Sequence, residues 1–73
     1  MKSGVPDICL PVAKGKYHGL YLELKRAKGG VVSEHQKAWI KALRENGYKS
    51  EVAHGLDEAI TIITDYITAP KDD

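Results

Sequence analysis

The 73-residue sequence contains one cysteine, one tryptophan, three prolines and no phenylalanine. With only Cys9 present, an intramolecular disulfide is excluded, and no CxxC pair or Cys/His cluster offers a structural zinc site. A domain of this size buries only about 60% of the surface of its unfolded chain, so its stability is marginal without further help. Self-association is the aid that remains, and we expect a homodimer.

Long apolar runs are also missing. No stretch approaches the roughly 18 to 20 apolar residues needed to span a bilayer, and the amino terminus lacks the pattern of a signal peptide. We therefore expect a cytoplasmic protein with no membrane partner.

The chain has almost no net charge, because eleven basic and ten acidic residues leave a formal charge of +1. Net charge alone therefore does not indicate a nucleic-acid-binding protein. The distribution is less even, since five bases and a single acid, Glu23, lie between positions 14 and 28: Lys14, Lys16, Lys25, Arg26 and Lys28. An alternative role for Lys14 and Lys16 is a charged hairpin edge that discourages aggregation.

Hydrophobic periodicity predicts one α/β domain with the element order β-β-α-β-α and a core at about residues 4–67, followed by a tail at 68–73. We expect strands at 5–12, 17–26 and 48–53, a turn at Lys14-Gly15-Lys16, and helices at 33–45 and 59–67. Ser33 and Gln36 form a capping box that begins the first helix, and Asn46-Gly47 ends it. Asp57 can cap the second helix, although its β-branched residues leave a strand as the alternative. The strand-helix-strand unit predicts a parallel pair, and Cys9 is expected to be buried.

Three charged residues of the predicted hairpin form the candidate site. Residues i and i+2 of a strand point to the same side, so Glu23 and Lys25 project together, and pairing of the first two strands brings Asp7 near them. Two carboxylates and an ammonium group suit a divalent cation and a water to be activated, with the Leu24 carbonyl as a further oxygen ligand. Lys25 can orient the water, stabilise charge on a phosphate, or act as a base if its pKa is lowered. The alternative is an exposed strand face of alternating charge.

Gln36 lies at helical spacing with Ile40 and Leu43, on the side expected to face the sheet. It either completes the helix cap, or reaches into the site to position a water, lysine or phosphate, or does both. Tyr17 and Tyr21 are candidates for contacts to a sugar or base, and packing within the fold is an equal alternative for Tyr21.

Taken together, Gly4-Val5-Pro6-Asp7, the segment Tyr17-His18-Gly19-Leu20-Tyr21-Leu22-Glu23-Leu24-Lys25 and the segment Ser33-Glu34-His35-Gln36-Lys37-Ala38-Trp39 resemble the VRR-NUC family of PD-(D/E)XK nucleases. The resemblance covers about residues 4–67. It implies a minimal restriction-endonuclease-like fold, with a small mixed sheet flanked by helices, and a DNA endonuclease activity that depends on Mg²⁺ or Mn²⁺. By motif, Asp7 and Glu23 would be metal ligands, Lys25 the catalytic lysine and Gln36 the helix glutamine of the site.

Small stand-alone members of that family resemble dimeric phage proteins that cut branched DNA such as Holliday junctions. The expected phosphate contacts are Lys14, Lys16, Arg26 and Lys28, which give affinity and salt sensitivity without reading base sequence.

The family usually carries an upstream helix and strand with a further acidic residue, whereas only Met1-Lys2-Ser3 precede the first motif here. The chain is then a minimal or trimmed version, or takes the missing part from a partner subunit, or has weak activity. A non-catalytic DNA-binding or assembly module on the same scaffold is the alternative function, and a small α/β protein that only dimerises is a third.

Overall fold

The computed structural model describes residues 6–69 and contains five elements in the predicted order. They are β1 (Ile8–Leu10), β2 (Leu20–Lys25), α1 (Glu34–Glu45), β3 (Lys49–His54) and α2 (Leu56–Thr68). The three strands form one sheet in the order β1-β2-β3, with β1 antiparallel and β3 parallel to β2. The α/β class, the mixed sheet and the parallel pair are confirmed. The predicted strand start at Val5 and the end of the tail, residues 70–73, lie outside the described residues.

The connection between β1 and β2 is longer than the sequence predicted, because both strands are shorter. Pro11 follows β1 directly, and proline has no N–H to donate to a strand partner. The predicted turn is confirmed further on, where Lys14 and Tyr17 exchange two backbone hydrogen bonds of 3.0 and 2.9 Å. Gly15 takes a positive φ of 55° within this turn, a conformation that glycine adopts without steric cost.

The first helix, α1, begins and ends where its capping residues predict. The Ser33 Oγ accepts a hydrogen bond from the Gln36 backbone N–H at 3.1 Å, and the Gln36 Oε1 accepts one from the Ser33 N–H at 2.9 Å. At the other end Asn46 is the C-cap, and Gly47 follows with a φ of 89°. The predicted capping box and the predicted end of this helix are therefore both confirmed.

The last segment is a helix, so the strand alternative is wrong. The predicted cap at Asp57 is also wrong, because Gly55 with a φ of 97° is the N-cap and makes no side-chain capping bond. Asp57 and Glu58 lie in the first turn of α2, where negative charge interacts favourably with the helix dipole. Within residues 6–69, no helix is long and apolar enough to cross a bilayer.

The hydrophobic core lies between the sheet and α2. Leu22, Ala53 and Ala59 are buried together, and Ile8, Ile62 and Ile63 pack against them. Neighbouring residues of a strand point to opposite faces. The odd-numbered residues of β2 therefore face away from α2.

Cys9 does not join this core, so the prediction that it is buried is wrong. The residue is exposed, and it pairs with Tyr21 across the strands while Ile8 lies on the core side. The strand alternation that places Ile8 against the core directs Cys9 to the other face.

Candidate functional site

Glu23 lies at the centre of the candidate site. It occupies the face of β2 opposite Leu22, and yet only 5% of the residue is exposed. Buried carboxylates are rare unless they are paired. The contacts of Glu23 therefore define the site.

The first contact comes from α1. The Gln36 Nε2 donates a 2.8 Å hydrogen bond to the Glu23 Oε2, while the Oε1 of the same side chain accepts from the Ser33 N–H. The predicted cap is present, and the same side chain also reaches the candidate site, where it binds Glu23 rather than a water, a lysine or a phosphate. The helix cap thus fixes the orientation of the amide that holds Glu23.

The second contact comes from Lys25, two residues along the strand. Its Nζ lies 3.8 Å from the Glu23 Oε2, and the two side chains are 18% and 6% exposed. The same-side projection predicted for this pair is confirmed, and the alternative of an exposed strand face does not describe it.

Gly30 limits the space around Lys25, and the sequence alone did not indicate a role for it at the site. A Cβ added at Gly30 would lie 2.7 Å from the Lys25 Cβ and 3.1 Å from the Arg26 carbonyl oxygen. A glycine is therefore required where the loop returns over the lysine. The signal that could have revealed it is the Gly29-Gly30 pair shortly after the charged end of β2.

Asp7 joins the site from the residue before β1. Its Oδ2 accepts a 2.9 Å hydrogen bond from the Leu24 backbone N–H. This bond involves the Leu24 N–H and not the carbonyl oxygen, so the Leu24 carbonyl as a metal ligand stays a prediction. The bond connects the chain before β1 to the middle of β2 and holds the Asp7 carboxylate beside Glu23.

The electrostatics of the site disfavour a second negative charge. Burial raises the pKa of the Glu23 carboxyl above its usual value, the nearby Asp7 carboxylate raises it further, and Lys25 acts in the opposite direction. Burial is the largest of these causes. A positive charge placed between the two carboxylates would lower the pKa of the Glu23 carboxyl and favour its charged form.

One oxygen of this carboxylate lacks a partner. Among the described residues, the buried Glu23 Oε1 has no hydrogen-bond donor, and leaving a buried acceptor unsatisfied costs free energy. Within residues 6–69, no group of three or more His, Cys, Asp or Glu side chains is arranged to hold a metal ion. The donor set of two carboxylates fits Mg²⁺, which takes oxygen ligands and retains several waters.

The four predicted phosphate contacts fall into two groups. Arg26 and Lys28 follow β2 immediately and are exposed next to the Lys25 end of the strand. Lys14 and Lys16 lie in the turn before the other end of β2. The structure therefore does not bring all four together.

Two tyrosines that were considered for substrate contacts pack within the fold. The Tyr21 ring contacts Tyr48 edge-on at 5.3 Å, and a hydrogen bond with the Cys9 side chain raises the pKa of the Tyr21 hydroxyl. The Tyr17 ring lies 6.4 Å from Tyr66 of α2. Tyr21 shares the sheet face of Glu23, whereas Tyr17 lies against α2.

The fold and the site together define a small α/β domain that presents two carboxylates, a lysine and a glutamine at one point of a mixed sheet. The sequence model of the VRR-NUC domain matches residues 1–57. A solved structure described as a VRR_NUC domain protein is 37% identical and superposes with a TM-score of 0.93, over 100% of this chain and 60% of that chain. No curated protein matches the sequence.

The chain therefore belongs to the VRR-NUC family, which is a family of nucleases. It spans about 60% of the length of the solved structure that it matches. The predicted family and restriction-endonuclease-like fold are confirmed.

Proposed function

We propose that the protein is a metal-dependent DNA endonuclease that hydrolyses phosphodiester bonds, with a preference for branched DNA such as Holliday junctions. The observation that carries the proposal is the environment of Glu23, a buried carboxylate that contacts Gln36 and Lys25, lies beside Asp7 and retains one unsatisfied oxygen. The proposed substrate is DNA in the cytoplasm. For a phage-encoded chain, this is the cytoplasm of the infected host cell.

Asp7, Glu23 and the Leu24 carbonyl would hold Mg²⁺ or Mn²⁺. When bound, such a cation polarises the phosphate and lowers the pKa of a coordinated water, which are the two requirements of phosphodiester hydrolysis. The unsatisfied Glu23 Oε1 supports the assignment, because it is an acceptor oxygen that no donor of the described residues occupies, and the Asp7 carboxylate lies beside it.

Lys25 would stabilise negative charge on the phosphate or orient the attacking water. Its side chain is largely buried beneath the Gly30 loop while its ammonium group lies at the Glu23 carboxylate. Gln36 would act through Glu23, because its amide binds the Oε2 and leaves the Oε1 available. Arg26 and Lys28 would contact phosphates near the cut.

A nicking assay tests this proposal. Wild-type protein and Lys25→Ala would be compared on a four-way junction and a linear duplex, with Mg²⁺, with Mn²⁺ and with EDTA, and binding would be measured separately in Ca²⁺. We expect metal-dependent cleavage of the junction by the wild type, and loss of cleavage with retained binding in Lys25→Ala. Lys37→Ala is the matched control, because Lys37 is exposed on α1 and pairs with Glu34 of the same helix.

Two outcomes contradict this expectation. Binding by the wild type without cleavage under any divalent ion identifies the non-catalytic DNA-binding module instead. Absence of binding even at low salt rejects both functions.

We also propose that the protein is a homodimer, because two symmetry-related sites suit the cutting of two strands of a junction. Helix α2 supports this, since Leu56, Ile60 and Ile67 lie along one side of it and are 71%, 54% and 45% exposed. Light scattering on a sizing column should give twice the chain mass for the wild type and the chain mass for Ile60→Asp. A monomeric wild type at micromolar concentration contradicts the dimer.

A further inference from the structure

The strongest feature outside the candidate site is a group of lysines around Tyr17. The Lys16 Nζ lies 5.4 Å and the Lys49 Nζ 5.5 Å from the centroid of its ring. Both distances are within the range of a cation–π contact. One aromatic ring therefore gathers two ammonium groups from different parts of the chain.

The Tyr17 ring is itself held in place by the fold. It lies against the Tyr66 ring, and the Tyr66 hydroxyl donates a hydrogen bond to the Val12 carbonyl. The turn that carries Lys16 is closed by the two backbone bonds between Lys14 and Tyr17. The Tyr17 ring and the turn that carries Lys16 are thus both held in place by contacts within the fold.

A cavity of about 210 Å³ lies between this turn and the end of α2, and its lining includes Lys14, Lys16, Tyr17, Lys49, Asp65 and Tyr66. Three lysines line it and one acid does. Lys49 also lies 3.6 Å from Glu51. The cationic groups still outnumber the acids, which favours an anionic ligand with several oxygen acceptors, such as a phosphate.

This cluster is separate from the candidate catalytic site. Lys49 pairs with Leu20 in the parallel register, and such partners share a sheet face, so Lys49 lies on the leucine face and Glu23 on the opposite one. Glu23 lies three residue steps, roughly 10 Å, from Leu20 along β2. A phosphate bound at Tyr17 is therefore not the phosphate that is cut.

We infer that Lys14, Lys16 and Lys49 around Tyr17 form a second binding site for the phosphate backbone of DNA, which anchors the substrate away from the point of cleavage. The inference rests on the proposed function for the identity of the ligand. Lys49 and Tyr17 are the residues that the fold adds to the two turn lysines.

A structural role for the same lysines makes a different prediction. The described helix α2 has no basic residue in its last turn, and cations near a helix C-terminus stabilise it. If that were their purpose, removing them would lower stability and leave DNA binding unchanged.

The test is a measurement of DNA affinity against salt concentration in EDTA, with the full chain and a linear duplex. We expect the double variant Lys16→Ala/Lys49→Ala to bind more weakly. The slope of log affinity against log salt, which is negative, should become less steep by about 2, because each lysine that no longer binds a phosphate reduces its magnitude by about 1. The charge-matched control is Lys37→Ala/Lys41→Ala on α1, which should keep the wild-type slope. Lys16→Arg/Lys49→Arg should also keep it, and urea unfolding of each variant is measured in parallel.

An unchanged affinity and slope in the double variant, with or without a loss of stability, overturns the inference. An equal fall in the α1 control also overturns it, because the effect would then be one of overall charge. Because no metal or cleavage is needed, a fall confined to the Tyr17 lysines supports the second site even if the wild type does not cut DNA. Complete absence of DNA binding by the wild type rejects this inference together with the proposed function.

Discussion

The two faces of β2 use burial for different purposes. Leu20 and Leu22 are fully buried on the face that packs against α2, while Glu23 is 5% exposed on the other face and contacts α1 through Gln36. Positions next to each other in one strand are thus almost equally inaccessible to water. Burial alone does not distinguish a residue that stabilises the fold from one that prepares chemistry.

The energetic consequences of the two faces are opposite. Burying a leucine side chain stabilises the protein by roughly 1.5–3 kcal/mol, whereas burying a charged group is unfavourable unless it is fully paired. Gln36 and Lys25 both contact the Glu23 Oε2, and the Oε1 has no donor among the described residues. The leucine face must therefore offset the free energy that the polar face costs.

Replacing Glu23 should sharpen this contrast most. We expect Glu23→Gln to lower the cleavage rate by about 100-fold or more, because a proposed ligand should matter at least as much as the residues that support one, whose loss costs roughly 10- to 100-fold. Stability should be unchanged or higher, because the raised pKa of Glu23 shows that its charged form is disfavoured in the fold. Cleavage kinetics and urea unfolding would be measured together, with Glu51→Gln as an acid-to-amide control. A large loss of stability in Glu23→Gln would make this residue structural, like Leu22.

Truncating the neighbouring leucine should have the reverse effect. Leu22→Ala should lower the free energy of unfolding by roughly 2–5 kcal/mol, as expected for a core cavity, and urea titration followed by circular dichroism measures it. If Leu22→Ala does not fold, Leu22→Val removes less volume and gives a measurable fraction of the loss. Val31→Ala, at a position that is 76% exposed, should change stability by less than about 0.5 kcal/mol. Equal effects at positions 22 and 31 would refute the assigned core.

The capping box connects the polar face to the stability of α1, and two variants separate these roles. Ser33→Ala should lower stability by about 1 kcal/mol, since it removes an N-cap acceptor, and should retain cleavage. Gln36→Glu retains an acceptor oxygen for the Ser33 N–H, but it removes the N–H donor to Glu23 and adds a second negative charge beside it. Its cleavage rate should fall roughly 10- to 100-fold. Identical activity profiles for the two variants would show that Gln36 acts only as a cap.

The smallest expected effect is a dependence of stability on pH. The pKa of Glu23 is higher in the folded than in the unfolded protein, so the folded state binds this proton more tightly. Its contribution to the free energy of unfolding is largest below the unfolded pKa and is lost as the pH rises through the folded pKa. Urea unfolding in EDTA, from about pH 4 to pH 7, should show this decline in the wild type relative to Glu23→Gln. Parallel pH profiles would contradict it.

Local sequence signals predicted the boundaries of α1 and of the turn well, because each acts over a few residues, whereas α2 begins at Leu56, three residues before the predicted start at Ala59. Ser33 and Gln36 satisfy each other's backbone, and Gly47 takes the conformation that ends α1. The prediction of a cap at Asp57 was wrong because the N-cap lies two residues earlier, at Gly55, which places Asp57 inside the first turn. Cys9 misled because the face of a short strand depends on its register with β2, and Ile8 takes the core position.

The sequence by itself determined the order of the elements, the alternation of leucine with charged residues in β2, and the candidates Asp7, Glu23, Lys25 and Gln36. Only the tertiary structure decided that the Asp7 carboxylate binds the Leu24 N–H, that Gln36 reaches Glu23, and that Lys16 meets Lys49 over Tyr17. The physical reason is distance along the chain. Caps, turns and alternation follow from neighbouring residues, whereas these contacts join segments whose relative position is set by strand pairing and by the packing of both helices on the sheet.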